Sequence, residues 1–261
     1  MILDEILTHK REEIAAAKAK LPLEELQRRV QGHRAQRSLR QAIRSAGKPP
    51  ALIAELKRKS PSKGMLRERF DPVSLAQQLQ DAGAHALSVL TDEKYFGGNL
   101  EFLRDTHQFT EIPILRKDFL IDPYQIYEAV YAQADAVLLI VHALSDAQLT
   151  QLLRLTEQFG LDALVEVHTE EELERALKAG AQLIGINTRD LNTFTMRPEI
   201  TARLVPKIPA GKTIVAESGI KTSEELRAAR DLGAHAVLIG ETLMRAPDPA
   251  QKLRELFDGI W

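Results

Sequence analysis

Eight short apolar runs, each leading into a segment of helical pattern, and four near-copies of a helix-to-strand junction predict a (β/α)8 TIM barrel with an N-terminal helical extension. The four junctions are AGAHALSVL (82–90), AQADAVLLIV (132–141), AGAQLIGI (179–186) and LGAHAVLIG (232–240), which recur roughly every fifty residues. Between them lie ALIAELK (51–57), IPILRK (112–117), LDALVEV (161–167) and TIVAES (213–218). Together they make eight strands within residues 51–261, about 26 residues per unit. A single barrel domain over residues 1–261 is the expected organisation, with 1–50 as the extension.

In chain order, Leu3, Ile6, Leu7 and Ile14 fall on one side of a first helix that continues into Ala15-Ala16-Ala17. Pro22 breaks it. Shorter amphipathic pieces follow around Leu26 and over Leu39 to Ile43, and Gly47-Lys48-Pro49-Pro50 is turn chemistry. The extension is expected to cap one end of the barrel or to help cover a substrate near the βα loops. Within the repeat, Asp71-Pro72 and Asp122-Pro123 place an N-cap acid before a proline at the first helical position. Thr169 to Glu172 and Thr222 to Glu225 have capping-box spacing. At helix C-termini Gly83, Gly180 and Gly233 stand where a left-handed residue is needed, with Gln133 in the matching place of the remaining unit. Short, continuously apolar strands separated by helices imply parallel pairing with both faces covered. A doubly wound dinucleotide fold would share that pattern, but no G-x-G-x-x-G follows the first strand and no P-loop occurs.

Composition narrows the function. With 35 Lys+Arg against 37 Asp+Glu, a formal net charge of -2 argues against a general polyanion binder, so no nucleic-acid partner is expected. Without cysteine, thiol nucleophiles, thiolate zinc sites and disulfides are excluded. No apolar run approaches membrane-spanning length, and MILDEILTHKREE has no apolar signal core, so no membrane partner and a cytoplasmic location are expected. The seven histidines are scattered, none beside an acid at metal-ligand spacing. His85 and His235 fall at strand starts, the stability face of a barrel, and no metal is expected.

The C-terminal ends of the strands are unusually polar. Strand one ends in Glu55 and Lys57, strand three in Lys117, strand five in Glu166, strand six in Asn187 and Arg189, and strand seven in Glu217 and Ser218. Alternation along a strand projects Glu55 and Lys57 the same way. Glu55, Glu166 and Glu217 stand within apolar stretches, where an unpaired carboxylate would cost several kcal/mol. A paired network of acids and lysines at one mouth is therefore expected, of the kind that separates pKa values into a general acid and a general base. Gly219, and Gly240 just before a short helix from Glu241 to Arg245, suit backbone N–H groups approaching a phosphate after strands seven and eight. Glu241 fits beside an anion only if its side chain turns away. The first βα loop, RKSPSKGMLRERFDP, is basic and long enough to act as a lid, and Phe96 and Phe119 offer apolar walls for a ring.

The runs IAELKRKSPSKG, SVLTDEKYFGG, ILRKDFLIDPYQIYEA, ALVEVHTEEEL, GINTRDL, VAESGI and LIGETLMRAPDP closely resemble the indole-3-glycerol-phosphate synthase family of tryptophan biosynthesis. ILDEILTHKREEIAAAK resembles that family's additional N-terminal helix, and the likeness covers nearly the whole chain. With no second domain after Trp261, the chain resembles the monofunctional form. The resemblance implies a decarboxylating carbon-carbon lyase that closes 1-(2-carboxyphenylamino)-1-deoxyribulose 5-phosphate to a pyrrole ring with loss of carbon dioxide and water, without a cofactor. It implies Lys117 as the acid that protonates the ketone oxygen, and Glu166 as general base or hydroxyl partner in dehydration. Glu55 and Lys57 would orient and protonate the reacting centre; whether Lys57 or Lys117 is the acid in dehydration stays open. Asn187, Arg189, Glu217 and Ser218 would position the substrate and Ser60 its carboxyl end. Phe96 and Phe119 would flank the benzene ring, while Gly219, Gly240 and the N–H of Glu241 would hold the phosphate. The implied partner is a small phosphorylated molecule, with contacts to other enzymes of the pathway left open.

The chain departs from the family pattern at Lys59, Gln133 and Met196-Arg197, of which only Lys59 is expected near the site. Two other readings stand beside the synthase. A sugar-phosphate isomerase would be expected to use a Cys/Asp or Asp/Asp pair, and the chain has no cysteine. A catalytically altered barrel or engineered scaffold binding related phosphorylated ligands would retain the fold without turnover.

Overall fold

The computed structural model describes residues 2–190 and 195–261. Leu191 of the GINTRDL run and residues 193–194 of the TFT stretch before Met196 lie outside the described residues. Eight parallel strands close into a barrel: β1 (Ala51–Leu56), β2 (Ala86–Leu90), β3 (Ile114–Lys117), β4 (Ala136–Ile140), β5 (Asp162–Val167), β6 (Leu183–Asn187), β7 (Thr213–Glu217) and β8 (Ala236–Ile239). Each pairs with its sequence neighbours, and Ala51 opposite Ala236 closes the ring between β1 and β8. Every strand overlaps its predicted run, because each combines an uninterrupted apolar stretch with helix-stop chemistry before it.

The junctions behave as their sequences require. Gly83, Gly180 and Gly233 have φ of 107°, 95° and 102°, and Gln133 adopts the same left-handed turn at 62°. The Asp71 carboxylate accepts from the N–H groups of Val73 and Ser74, and Asp122 and Thr222 form complete capping boxes with Gln125 and Glu225. Thr169 is the exception. Its hydroxyl accepts from the Glu172 N–H, but the Glu172 carboxylate turns away to the His168 N–H at 2.7 Å. The capping-box expectation at 169–172 is thus half met, because two imidazoles compete for that carboxylate.

Inside the barrel, the deep inward positions are apolar: Ile53, Leu115, Leu138, Leu164, Val215 and Leu238 belong to one buried cluster. Glu55, Lys117, Glu166 and Glu217 come next on the same faces toward the strand C-termini. The extension serves both ends. The helix Leu39–Arg44 inserts Leu39 and Ile43 into the cluster with Ala51 and Ala86 at the strand starts. His85 and His235 lie at that floor, where their Nδ1 atoms accept the N–H groups of Leu52 and Ile214 at 3.3 and 3.1 Å. Trp261 joins them, donating from its indole N–H to the Pro50 carbonyl at 3.1 Å. Helix α1 (Ile2–Lys20) reaches the other end, where Leu3, Ile6 and Leu7 share the cluster with Phe119.

Candidate active site

The pleat of β3 sorts three consecutive charges. Lys117 turns into the mouth, whereas Arg116 and Asp118 face outward into a separate buried network. The Lys117 ammonium lies 3.4 Å from Glu166 Oε2 and 3.6 Å from Glu217 Oε2. Both carboxylates are 1% exposed, so neither exchanges its charge interaction for water. Two strands away, Lys57 pairs with Glu55, on the face that alternation along β1 predicts. Asn187 Oδ1 accepts from the Ser218 hydroxyl at 2.8 Å and from the Arg189 N–H at 3.0 Å.

Two glycines make this crowding sterically feasible. A Cβ at Gly185 would come within 2.0 Å of Glu217 Oε1, and one at Gly240 within 2.3 Å of Glu55 Oε1. Gly185 pairs with Glu166 on β5, so the two carboxylates approach each other over a residue that has no side chain. Sequence reading passed over Gly185, although a glycine inside the apolar run LIGIN is the signal that marks it. Ser218 and Gly219 both hold left-handed backbone, φ 69° and 83°, which turns the chain after β7 sharply over the mouth.

The electrostatics follow from burial against pairing. Burial alone disfavours the Lys117 cation, but Glu166, Glu217 and Glu55 outweigh it and raise its pKa. Burial likewise opposes the Glu166 charge, and Lys117 and His168 overcome it, holding this carboxylate below its usual range. Glu55 is pulled down against burial by Lys57 and Lys117. Glu217 goes the other way: burial and the neighbouring Glu166 carboxylate push it well above the carboxylate range. The three acids are thus pushed apart, Glu217 upward and Glu55 and Glu166 downward, which gives the mouth groups of both proton-donor and base character.

Two adjoining cavities open there. The inner one, about 100 Å³, is lined by Glu55, Lys57, Ser60, Phe96, Lys117, Phe119, Glu166, Asn187, Arg189, Glu217, Ser218 and Glu241. The Phe96 and Phe119 rings stand 6.1 Å apart at its wall, and the Ser60 hydroxyl is buried without a partner. The outer one, about 750 Å³, is lined by Ser218, Gly219, Gly240 and Glu241, with Lys57, Lys63, Arg189 and Lys221. The Glu241 carboxylate is held by Arg189 at 3.5 Å and Arg245 at 3.3 Å.

The Indole-3-glycerol phosphate synthase family profile matches residues 3–256. The chain belongs to the indole-3-glycerol phosphate synthase family. The synthase of Carboxydothermus hydrogenoformans is 47% identical over 262 residues, covering 98% of this chain and 99% of that one. That of Roseiflexus sp. RS-1 is 48% identical, covering 99% and 98%. Among solved structures, 3-hexulose-6-phosphate synthase from Salmonella typhimurium superposes with a TM-score of 0.64 at 14% identity, over 80% of this chain and 98% of that one, a likeness of fold.

Against the family pattern, three expectations change. Lys59 lines neither cavity; it pairs with Met65 in a small antiparallel ladder, Lys59–Ser60 with Gly64–Met65, and its ammonium donates to the Lys94 carbonyl at 2.7 Å. Met196 instead lines the outer cavity, beside Gly219. His168 is not an isolated histidine, since its ring meets both Glu166 and Glu172. Residue spacing hid the first two because the loops fold back; the i, i+4 spacing of His168 and Glu172 was visible. Lys10 was also missed: this 3% exposed lysine of α1 reaches Asp92 and Asp118, both at 2.9 Å, behind the loops that carry Phe96 and Phe119.

Proposed function

We propose that the mouth converts 1-(2-carboxyphenylamino)-1-deoxyribulose 5-phosphate to indole-3-glycerol phosphate, carbon dioxide and water. The carrying observation is Lys117, a mostly buried ammonium set between Glu166 and Glu217 beside a chamber with aromatic walls. Phe96 and Phe119 flank the benzene ring, Ser60 meets its carboxyl end, and Gly219, Gly240 and the Glu241 N–H receive the phosphate. Arg189 neutralises the Glu241 side chain, which removes the objection to an acid at that point.

In ring closure the aromatic carbon attacks the ketone as Lys117 protonates its oxygen. The raised Lys117 pKa suits charge stabilisation of the developing alkoxide, in a site that excludes water. The resulting iminium accepts the electron pair released as the carboxylate leaves as carbon dioxide, so aromaticity returns without an added electron sink. Glu166 then takes a proton while the hydroxyl departs as water, protonated by Lys57 or Lys117. Glu55 orients Lys57, and Asn187, Ser218 and Glu217 hold the substrate hydroxyls. Positioned acid–base groups of this kind contribute roughly 10²–10⁴-fold each.

The same reading takes residues 1–261 as one domain, supported by the helix Leu39–Arg44 in the barrel floor and α1 at the mouth. It places the protein in the cytoplasm; among the described residues no helix is long and apolar enough to cross a membrane. Incubation with the substrate, followed by indole fluorescence and released carbon dioxide, tests it. Both signals are expected together. Isomerisation without gas release would point to a sugar-phosphate isomerase, and no turnover by folded protein to a silent scaffold.

A further inference from the structure

A line of titratable side chains leaves the mouth on the side away from both cavities. His168 Nε2 lies 3.4 Å from Glu166 Oε1, His168 Nδ1 lies 3.2 Å from Glu172 Oε2, and Glu172 Oε1 lies 2.8 Å from His142 Nδ1. Glu166, His168 and Glu172 are buried, whereas His142, in the turn after β4, is exposed. The line therefore joins solvent to the base of the mouth through side chains alone.

Its geometry exceeds what helix capping needs. Glu172 forgoes the back-bond to the Thr169 N–H that its position offers and is shared between two imidazoles. Glu166 Oε1 and His168 Nε2 are both buried without a hydrogen bond, yet face each other across 3.4 Å. The remaining neighbours are accounted for. Lys117, Glu217, Glu55 and Asn187 face Glu166 from the other strands. Arg175, on the Glu172 helix, is taken by Asp146 and by the carbonyls of Val141 and Leu144.

The chemistry of the proposed reaction, on which this inference rests, supplies the need. Substrate enters as a carboxylate and leaves as neutral carbon dioxide, so each turnover consumes one proton. The ketone oxygen and the departing hydroxyl each take one, and Glu166 recovers only one. Substrate itself fills the mouth while this happens.

We propose that His142, Glu172 and His168 form a path that delivers the missing proton from solvent to Glu166 and, across 3.4 Å, to the Lys117 amine. A solvent or buffer acid protonates His142, which passes a proton to Glu172. Glu172 protonates His168 at Nδ1 as Nε2 releases its proton to Glu166 Oε1, and Glu166 returns a proton to Lys117 from Oε2. Only N–H and O–H bonds break and form; rotation of the Glu172 and Glu166 carboxyl groups carries each proton from Oε1 to the Oε2 side, and ring rotation or tautomer exchange resets His168. Although burial disfavours its cation, the neighbouring Glu172 and Glu166 raise the His168 pKa.

The test compares full-length wild type, His168→Gln, His142→Gln and, as a control far from the mouth, His33→Gln. Turnover at saturating substrate is measured in a weak non-imidazole buffer and then against added imidazole. Wild type and the control are expected to be indifferent to imidazole. His168→Gln is expected to lose about tenfold or more in kcat with KM little changed, and to recover saturably as imidazole rises. His142→Gln, at the exposed end where folding is not at stake, shows a smaller loss with the same recovery. Wild-type kcat in both variants, or losses that imidazole leaves untouched, would overturn the path. Failure of wild type to release carbon dioxide would instead overturn the reaction assigned above.

Discussion

Two buried ionic clusters lie back to back across β3, and they are built differently. Outside the barrel, Lys10 meets Asp92 and Asp118 at 2.9 Å each, while Arg116 meets Asp118 and Glu128 at 3.2 Å and donates to the Gln125 carbonyl at 2.7 Å. Inside it, Lys117 stands 3.4 and 3.6 Å from Glu166 and Glu217, and both Glu217 oxygens are buried without a hydrogen bond. Close contacts bind loops together; the looser contacts of Lys117 and the spare oxygens of Glu217 leave hydrogen-bonding capacity in the mouth. The outer cluster holds the Asp92 cap of the Glu93–Phe96 helix and the Asp118 turn before Phe119, so it supports the walls of the inner one.

The sharpest way to break this contrast is to remove one lysine from each side. Lys117→Ala and Glu166→Gln are expected to lower turnover by roughly 10²–10⁴-fold in protein that still folds. Near-normal kcat in either would overturn their roles. Lys10→Met is expected to do the reverse, costing about 3–5 kcal/mol in urea unfolding with a smaller fall in turnover of the folded protein, since it strands two buried acids. A loss under 1 kcal/mol would show the outer cluster to be no support.

Acid and base should separate the clusters too. Burial pushes Asp118 up, yet Lys10 and Arg116 pull it down to about 2 from an ordinary 3.8. Its contribution is thus present above the ordinary value and is lost as pH falls toward 2, about 2 kcal/mol in all. Glu217 has the opposite sign: its raised pKa makes the fold lose stability as pH climbs from the ordinary carboxylate value through the raised one. Unfolding free energy against pH should show both slopes, with Glu217→Gln abolishing only the second. The smallest effect belongs to Lys59→Ala, which frees the hairpin from the Lys94 carbonyl; stability within about 0.5 kcal/mol and turnover within twofold are expected.

Much of this was readable along the chain. Strand positions, the left-handed helix ends at Gly83, Gly180, Gly233 and Gln133, and the charged tips of the strands are local properties, set by the apolar pattern, backbone φ and the two-residue pleat. The alternation that turns Lys117 inward and its neighbours outward is of the same kind. The sequence alone therefore determined the barrel, its repeat and which residues point into its mouth. Which of those charges meet was decided only by closure of the sheet. The register that sets Gly185 beside Glu166 and Asn187 beside Glu217 brings two carboxylates together over a missing side chain. The approach of Gly240 to Glu55, the reach of Lys10 to Asp118 and the contact of His142 with Glu172 likewise join residues far apart in the chain. Pairing energies and pKa shifts depend on distances of a few ångströms, and those exist only once the strands are in register and the helices are packed around them.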